Sequence, residues 1–114
     1  MATIALQSIP VDGSAITMSA AAGGGDSFTF DANGFIEFNN ASVGVITATI
    51  VVPGNDALGQ ARPDPAVAVP AASGGVSGNR KIPMHPSMIN PATGLIDVTY
   101  SGVTTFTVAA LRVV

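Results

Sequence analysis

The chain has no cysteine, no tryptophan and few charged residues. Without cysteine it can form neither a disulfide framework nor a thiolate metal site, and nothing indicates an oxidising compartment. Asp, Glu, Lys and Arg make up 10% of the 114 residues, against about 25% in a typical soluble domain. A surface this neutral is poorly protected against association unless partners cover it. The composition therefore favours a subunit of a larger assembly.

Charge and hydropathy also exclude two classes of partner. The net charge is −3 with four basic residues, whereas binding nucleic acid phosphates requires clustered Lys and Arg. Thr47 and Thr49 interrupt the longest apolar run, which is far shorter than the about 20 residues of a membrane span. Residues 1–10 lack the basic start and apolar block of a secretory signal. We therefore expect no nucleic acid partner, no membrane association, and a bacterial or viral protein made in the cytosol.

The sequence contains no recognisable catalytic constellation. Its one histidine, His85, lies between Met84 and Pro86 with no nucleophile motif nearby, which favours a loop or core histidine over a catalytic base. One histidine without cysteine cannot supply the usual zinc ligand sets. The seven carboxylates are scattered along the chain, although two of them could still meet in space for glycoside hydrolysis. We predict a protein that is not an enzyme and has no cofactor or metal.

The 13 glycines and 8 prolines divide the chain into segments of strand length, and none shows helical periodicity. The run from Val45 to Val52 is the strongest predicted strand, and we place it centrally because an uncharged edge invites aggregation. Turns at residues 31–34 and 101–102 each predict a β-hairpin. Residues 55–65 predict a long surface loop. Further along, Val67 and Val69 predict a short strand that Pro70 ends or confines to an edge, and 82–86 predict an irregular edge segment.

These patterns predict an all-β fold, an antiparallel two-sheet β-sandwich of jelly-roll type with roughly seven to nine short strands. We assign residues 12–114 to one sandwich domain. Residues 1–11 carry the apolar side chains Ile4, Leu6 and Ile9 and are interpreted in two ways. They form either an arm that pairs with a partner's strand edge or the first strand of the domain's own sandwich.

Two stretches of the sequence carry a family resemblance. One is Phe-Ile-Glu-Phe-Asn-Asn-Ala-Ser from Phe35, followed by the Thr-rich strand and the Val-Pro-Gly that ends at Gly54. The other is Leu-Ile-Asp-Val-Thr-Tyr-Ser from Leu95, with Val-Ala-Ala-Leu-Arg-Val from Val108. Both resemble small proteins encoded near the capsid genes of tailed bacteriophages, although residues 55–86 depart from their usual pattern.

This resemblance implies a head decoration, or cement, protein on the capsid surface of the virion. Such a subunit binds outside the assembled shell, often as a homotrimer, and bridges neighbouring copies of the major capsid protein. The candidate partner-contact residues are Ile4, Leu6, Ile9, Arg62, Arg80 and Lys81.

Two alternative functions remain open from the sequence. The chain could be a tail, connector or fibre-base component, which copy number per particle distinguishes from a decoration protein. A carbohydrate-binding module or small hydrolase on the same fold is less favoured. Such a module usually binds sugars through exposed aromatic side chains, and the chain has no Trp and a single Tyr, Tyr100.

Overall fold

The computed structural model describes residues 2–13, 15–55 and 57–113. Apart from one 3₁₀ turn, Pro86–Met88, every regular element in these residues is a β-strand, which confirms the all-β prediction. The strands are β1 Ala2–Ile4, β2 Leu6–Ile9, β3 Ser19–Ala20, β4 Asp26–Thr29, β5 Gly34–Asn40, β6 Ile46–Ile50, β7 Ala66–Val69, β8 Gly78–Pro83, β9 Ile89–Asn90, β10 Leu95–Tyr100 and β11 Phe106–Val113.

Two sheets pack face to face, as a sandwich requires. Sheet 1 has the order β1-β4-β10-β6-β7, with β9 also paired to β10; sheet 2 has the order β2-β11-β5-β8, with β3 also paired to β11. Both sheets are mixed instead of antiparallel, because β1 runs parallel to β4 and β2 parallel to β11. The eleven strands in the described residues exceed the predicted seven to nine. The excess comes from two-residue strands and from an N-terminal segment that is shared between the sheets.

The core lies between the sheets and follows the period-two alternation of the sequence. In β5 every second residue is buried, so Ile36 and Phe38 face the core while Glu37 lies on the opposite face. Phe38 stacks on Phe106 with ring centroids 5.9 Å apart. Burial of these apolar faces is the main favourable term in folding such a domain, at roughly 25 cal/mol per Å².

Both predicted hairpins are wrong. The turn at residues 31–34 connects β4 of sheet 1 to β5 of sheet 2, and the turn after Ser101 connects β10 of sheet 1 to β11 of sheet 2. Alternation specifies which face of a strand is buried, not which strand lies beside it. Each of these turns therefore crosses between the layers while both flanking strands keep their apolar side chains in one core.

Other strand predictions have mixed outcomes. The strand predicted over 45–52 is β6, which lies between β10 and β7 as expected for a central strand. The short strand predicted from Val67 and Val69 is β7, which lies at the edge of sheet 1 and ends directly before Pro70. The segment expected to be irregular over 82–86 is instead partly regular, because β8 extends to Pro83 and pairs with β5 along its whole length. Residues 2–4 and 6–9 pair with the domain's own strands, which is the arrangement that the first-strand interpretation describes.

Candidate interaction surfaces

Four loops meet at one end of the sandwich: residues 21–25, 41–45, 70–77 and 101–105. Backbone hydrogen bonds join them, from Ala21 N–H to Phe106 O at 3.0 Å, from Ala41 N–H to Thr105 O at 3.0 Å, and from Ala72 N–H to Ser42 O at 2.9 Å. None of the four loops contains an Asp, Glu, Lys, Arg or His residue. We call this surface the uncharged end.

A buried asparagine organises the uncharged end. Asn40, the last residue of β5, is fully buried. Its Nδ2 donates to Gly44 O at 2.9 Å and to Val69 O at 3.2 Å, and its Oδ1 accepts from Ser42 N–H at 2.9 Å. The Ser42 hydroxyl lies 2.6 Å from the same oxygen. One side chain thereby ties the 41–45 loop to β7 of the other sheet.

Large apolar side chains are exposed on the uncharged end. Val43 is 100% exposed, Val76 70% and Val45 61%. These three valines lie on loops that the Ala72–Ser42 hydrogen bond holds together. Single exposed apolar residues are normal on protein surfaces, but several on one charge-free surface are typical of an interaction site.

The opposite end of the sandwich carries most of the charge of the loops. It is built from residues 10–13, 30–33, 51–55, 57–65 and 84–94 and includes Asp12, Asp31, Arg62 and Asp64. Arg112 Nη1 lies 3.1 Å from Asp31 Oδ2, and Asp31 Oδ1 accepts from Asn33 N–H at 2.8 Å within its own turn. The two ends of the molecule therefore differ in charge although charged residues are few in the whole chain. We call this second surface the charged end.

A shallow groove of about 320 Å³ lies in the charged end. Its lining comprises Pro53, Gly54, Arg62, Pro86, Ser87, Ile89 and Pro91. Three of the seven lining residues are prolines and one carries a guanidinium group, and none of the seven carries a carboxylate. The groove can hold a small or extended ligand but offers no pair of groups for acid–base chemistry.

The polar groups that could suggest hydrolysis have structural roles. His85 Nδ1 lies 2.8 Å from Ser87 Oγ and accepts from Ser87 N–H at 3.1 Å, so it caps the 3₁₀ turn. Ser27 Oγ donates to Asp97 Oδ1 at 2.8 Å, and Asn90 Nδ2 donates to Asp97 Oδ2 at 3.0 Å, which ties three strands of sheet 1 together. This serine pairs directly with a carboxylate, without the intervening imidazole of a catalytic triad.

Asp26 and Tyr100 form a polar pair inside the sandwich. Tyr100 Oη donates to Asp26 Oδ2 at 2.8 Å, and Ala22 N–H donates to the same oxygen at 3.2 Å. Desolvation by burial, together with the hydrogen bond and negative charge of Asp26, raises the pKa of Tyr100 far above its usual value. The phenol therefore stays protonated, and the edge-to-face contacts of its ring with Phe38 and Phe106 are kept.

The six residues predicted to contact a partner do not form one surface. Ile4 is buried in the core and Leu6 packs against it. Ile9 ends β2 at one edge of sheet 2, while Arg80 and Lys81 lie on β8 at the opposite edge, where Lys81 Nζ is 3.8 Å from Glu37 Oε2. Arg62 lines the groove of the charged end.

Sequence reasoning missed the importance of Asn40. In the sequence, Asn-Ala-Ser at residues 40–42 has the composition of an ordinary polar turn. A signal was nevertheless present, since Asn40 has the same parity as the buried positions 36 and 38 of β5. A polar residue on the core face of a strand must find hydrogen-bond partners there.

Comparison of the chain with protein-family models, curated proteins and solved structures gave no match. Within the described residues there is no helix long and apolar enough to cross a membrane. The same part of the chain contains no group of three or more His, Cys, Asp or Glu side chains placed to hold a metal ion.

Proposed function

We propose that this chain is a capsid decoration subunit of a tailed bacteriophage and that it acts by binding, not by catalysis. It binds the outside of the assembled head through the uncharged end and bridges neighbouring copies of the major capsid protein. On the shell it forms a homotrimer, and its location is the capsid surface of the virion after synthesis in the host cytoplasm. The observation that carries the proposal is the uncharged end itself, with its exposed Val43, Val45 and Val76.

The mechanism is mass action. A subunit that binds only the assembled shell stabilises it by the free energy of binding, and the effect is multiplied over many equivalent sites. Charge-free loops with small and apolar side chains suit this role, because they lose little hydration energy when a partner covers them. A rigid sandwich also loses little conformational entropy on binding.

The arrangement of aromatic side chains favours this role over carbohydrate binding. Sugar rings are usually held on exposed aromatic faces, and all six aromatic residues lie in the described part of the chain. Phe28, Phe38 and Phe106 are buried, and Phe30, Phe35 and Tyr100 are partly buried. The remaining alternative, a tail, connector or fibre-base component, uses the same kind of surface and differs in location and copy number.

Binding to particles tests the proposal. Heads are prepared from the phage whose genome encodes the chain, without this subunit, and titrated with the purified protein. The double variant Val43→Lys/Val76→Lys places two charges on the uncharged end, and we expect it to bind at least tenfold more weakly. The matched control is Val11→Lys, because Val11 is 98% exposed at the charged end.

Equal binding of the double variant and the control would contradict the assigned surface. Failure of the unaltered protein to bind these heads would contradict the decoration role. All three proteins should give the same β-type circular dichroism spectrum, since the substituted side chains are exposed.

A further inference from the structure

The edges of the two sheets differ in how they are protected. An edge strand presents unpaired backbone N–H and C=O groups, and proteins usually block them with charges, prolines or covering segments. The strands at the two ends of the sheet order are β2 and β8 in sheet 2 and β1 and β7 in sheet 1; the two-residue strands β3 and β9 each pair with a single inner strand. Comparing the four shows which edge is available to a partner strand.

Both edges of sheet 2 are protected. Beside β2, Gln7 Nε2 donates to Thr17 O at 2.8 Å and Gln7 Oε1 accepts from Thr17 N–H at 2.9 Å. The segment leading into β3 is thereby held against this edge. The β8 edge carries Lys81, whose side chain is half exposed, and ends in Pro83, which has no N–H to offer.

The β7 edge of sheet 1 is less protected, because its four residues include neither a charge nor a proline and Pro65 and Pro70 only flank them. Ile50 N–H donates to Pro65 O at 2.9 Å, so residues 65, 67 and 69 exchange hydrogen bonds with β6. By the alternation of an antiparallel ladder, the N–H and C=O groups of Ala66 and Ala68 point to the open edge. Both alanine side chains are exposed on the outer face of the sheet and carry no charge.

The β1 edge of sheet 1 is also open. Val51 N–H donates to Asp97 O at 2.9 Å, so the backbone groups of Asp97 point toward β6. Ser27 lies opposite Asp97 on β4, and its N–H and C=O therefore point toward β1. Because β1 pairs in parallel with Thr3 opposite Ser27, the N–H and C=O of Thr3 point away from the sheet. Ala2 and Thr3 are exposed and uncharged, like the alanines of β7.

Strand direction decides between the ways in which two copies can use these edges. Two β7 strands paired antiparallel would turn one copy upside down, so the two uncharged ends would face opposite directions. In contrast, β1 runs from the uncharged end to the charged end and β7 runs back. A copy in the same orientation therefore presents its β1 antiparallel to the neighbour's β7.

We propose that copies of this chain associate head to tail, with β7 of one copy paired to β1 of the next. Ala66 or Ala68 exchanges main-chain hydrogen bonds with Thr3 of the neighbour, and sheet 1 becomes continuous across the contact. The inference rests on the proposed function, because the orientation argument requires every copy to face the shell with its uncharged end. A head-to-tail contact of this kind closes into a ring when the rotation between copies allows it.

Disulfide trapping tests the contact, because the chain has no cysteine of its own. The double variants Thr3→Cys/Ala66→Cys and Thr3→Cys/Ala68→Cys cover the two registers, and both sites lie on the outer face. Antiparallel neighbours fall within the Cα separation of roughly 4.4–6.8 Å that a disulfide needs. On oxidation of the concentrated protein, we expect one of these variants to give covalent multimers that end at a closed ring, a trimer under the proposed function.

The matched control is Thr3→Cys/Lys81→Cys, which uses the protected β8 edge and should remain monomeric under the same oxidation. Absence of multimers from both double variants, with the β-type spectrum intact, would overturn the proposal. Disulfide-linked dimers of the single variant Ala68→Cys would also overturn it, because they require two β7 strands to meet. Head binding by the unaltered protein is measured separately, so the contact can fail while the decoration role stands.

Discussion

Truncating the buried Asn40 to alanine should destabilise the domain strongly. The side chain makes two donor bonds, to Gly44 O and Val69 O, and accepts from the N–H and hydroxyl of Ser42. A net hydrogen bond contributes about 0.5–1.5 kcal/mol, and a buried group left unpaired costs about 1–3 kcal/mol. Gly44 is exposed, so water replaces part of the loss there. We therefore expect the free energy of unfolding to fall by about 2–4 kcal/mol.

The matched control is Asn39→Ala, the same chemical change one residue earlier. Asn39 points to the opposite face of β5 and is partly exposed, so its truncation should cost under about 0.5 kcal/mol. For a domain of this size each kcal/mol lowers the melting temperature by roughly 4 °C. Urea unfolding followed by circular dichroism measures the difference. If the two variants unfold at the same urea concentration, the account of Asn40 as the organiser of the uncharged end is wrong.

Three further outcomes are expected. Gly78→Ala should destabilise the protein by more than about 2 kcal/mol in urea unfolding, because a Cβ would overlap the Pro70 carbonyl oxygen, whereas Gly102→Ala meets open space and should change little. Because its pKa is raised, Tyr100 keeps its proton in the folded state and loses it only on unfolding. The free energy of unfolding should therefore stay constant up to pH about 10 and then fall by about 1.4 kcal/mol per pH unit. As Tyr100 is the only tyrosine, tyrosinate absorbance should appear only with unfolding; its appearance in the folded protein would contradict the burial argument. Tyr100→Phe should abolish that alkaline slope and cost about 1–3 kcal/mol at neutral pH, because the buried Asp26 Oδ2 loses the phenol as a donor and keeps only Ala22 N–H.

The sequence predicts the fold class and the core faces well, because alternation directly reports burial. The residues that alternate in β5 and β10 are those that face the core. Topology was less accessible: a turn such as residues 31–34 has the same local chemistry whether it joins neighbours in one sheet or crosses between two. Which sheet each strand joins depends on packing across the sandwich, which no local window contains.

The candidate surfaces were predictable only in part. Low overall charge predicts an association surface, but charge is sparse everywhere in the sequence, so its absence from four separate loops becomes informative only once the topology gathers them at one end. Arg80 and Lys81, two of the candidate partner-contact residues, lie on the edge strand β8, and both side chains bond to Asn79. The open backbone groups of Ala66 and Ala68 have no signal in side-chain chemistry at all.

Cryo-electron microscopy of the phage particle tests the central claim most directly. The account predicts density for this chain on the outer surface of the head, in copies repeated over the whole shell. The loops carrying Val43 and Val76 should face the capsid protein, and the charged end with Arg62 should face solvent. A particle in which the chain is absent from the head, or sits with its charged end against the shell, would contradict the account.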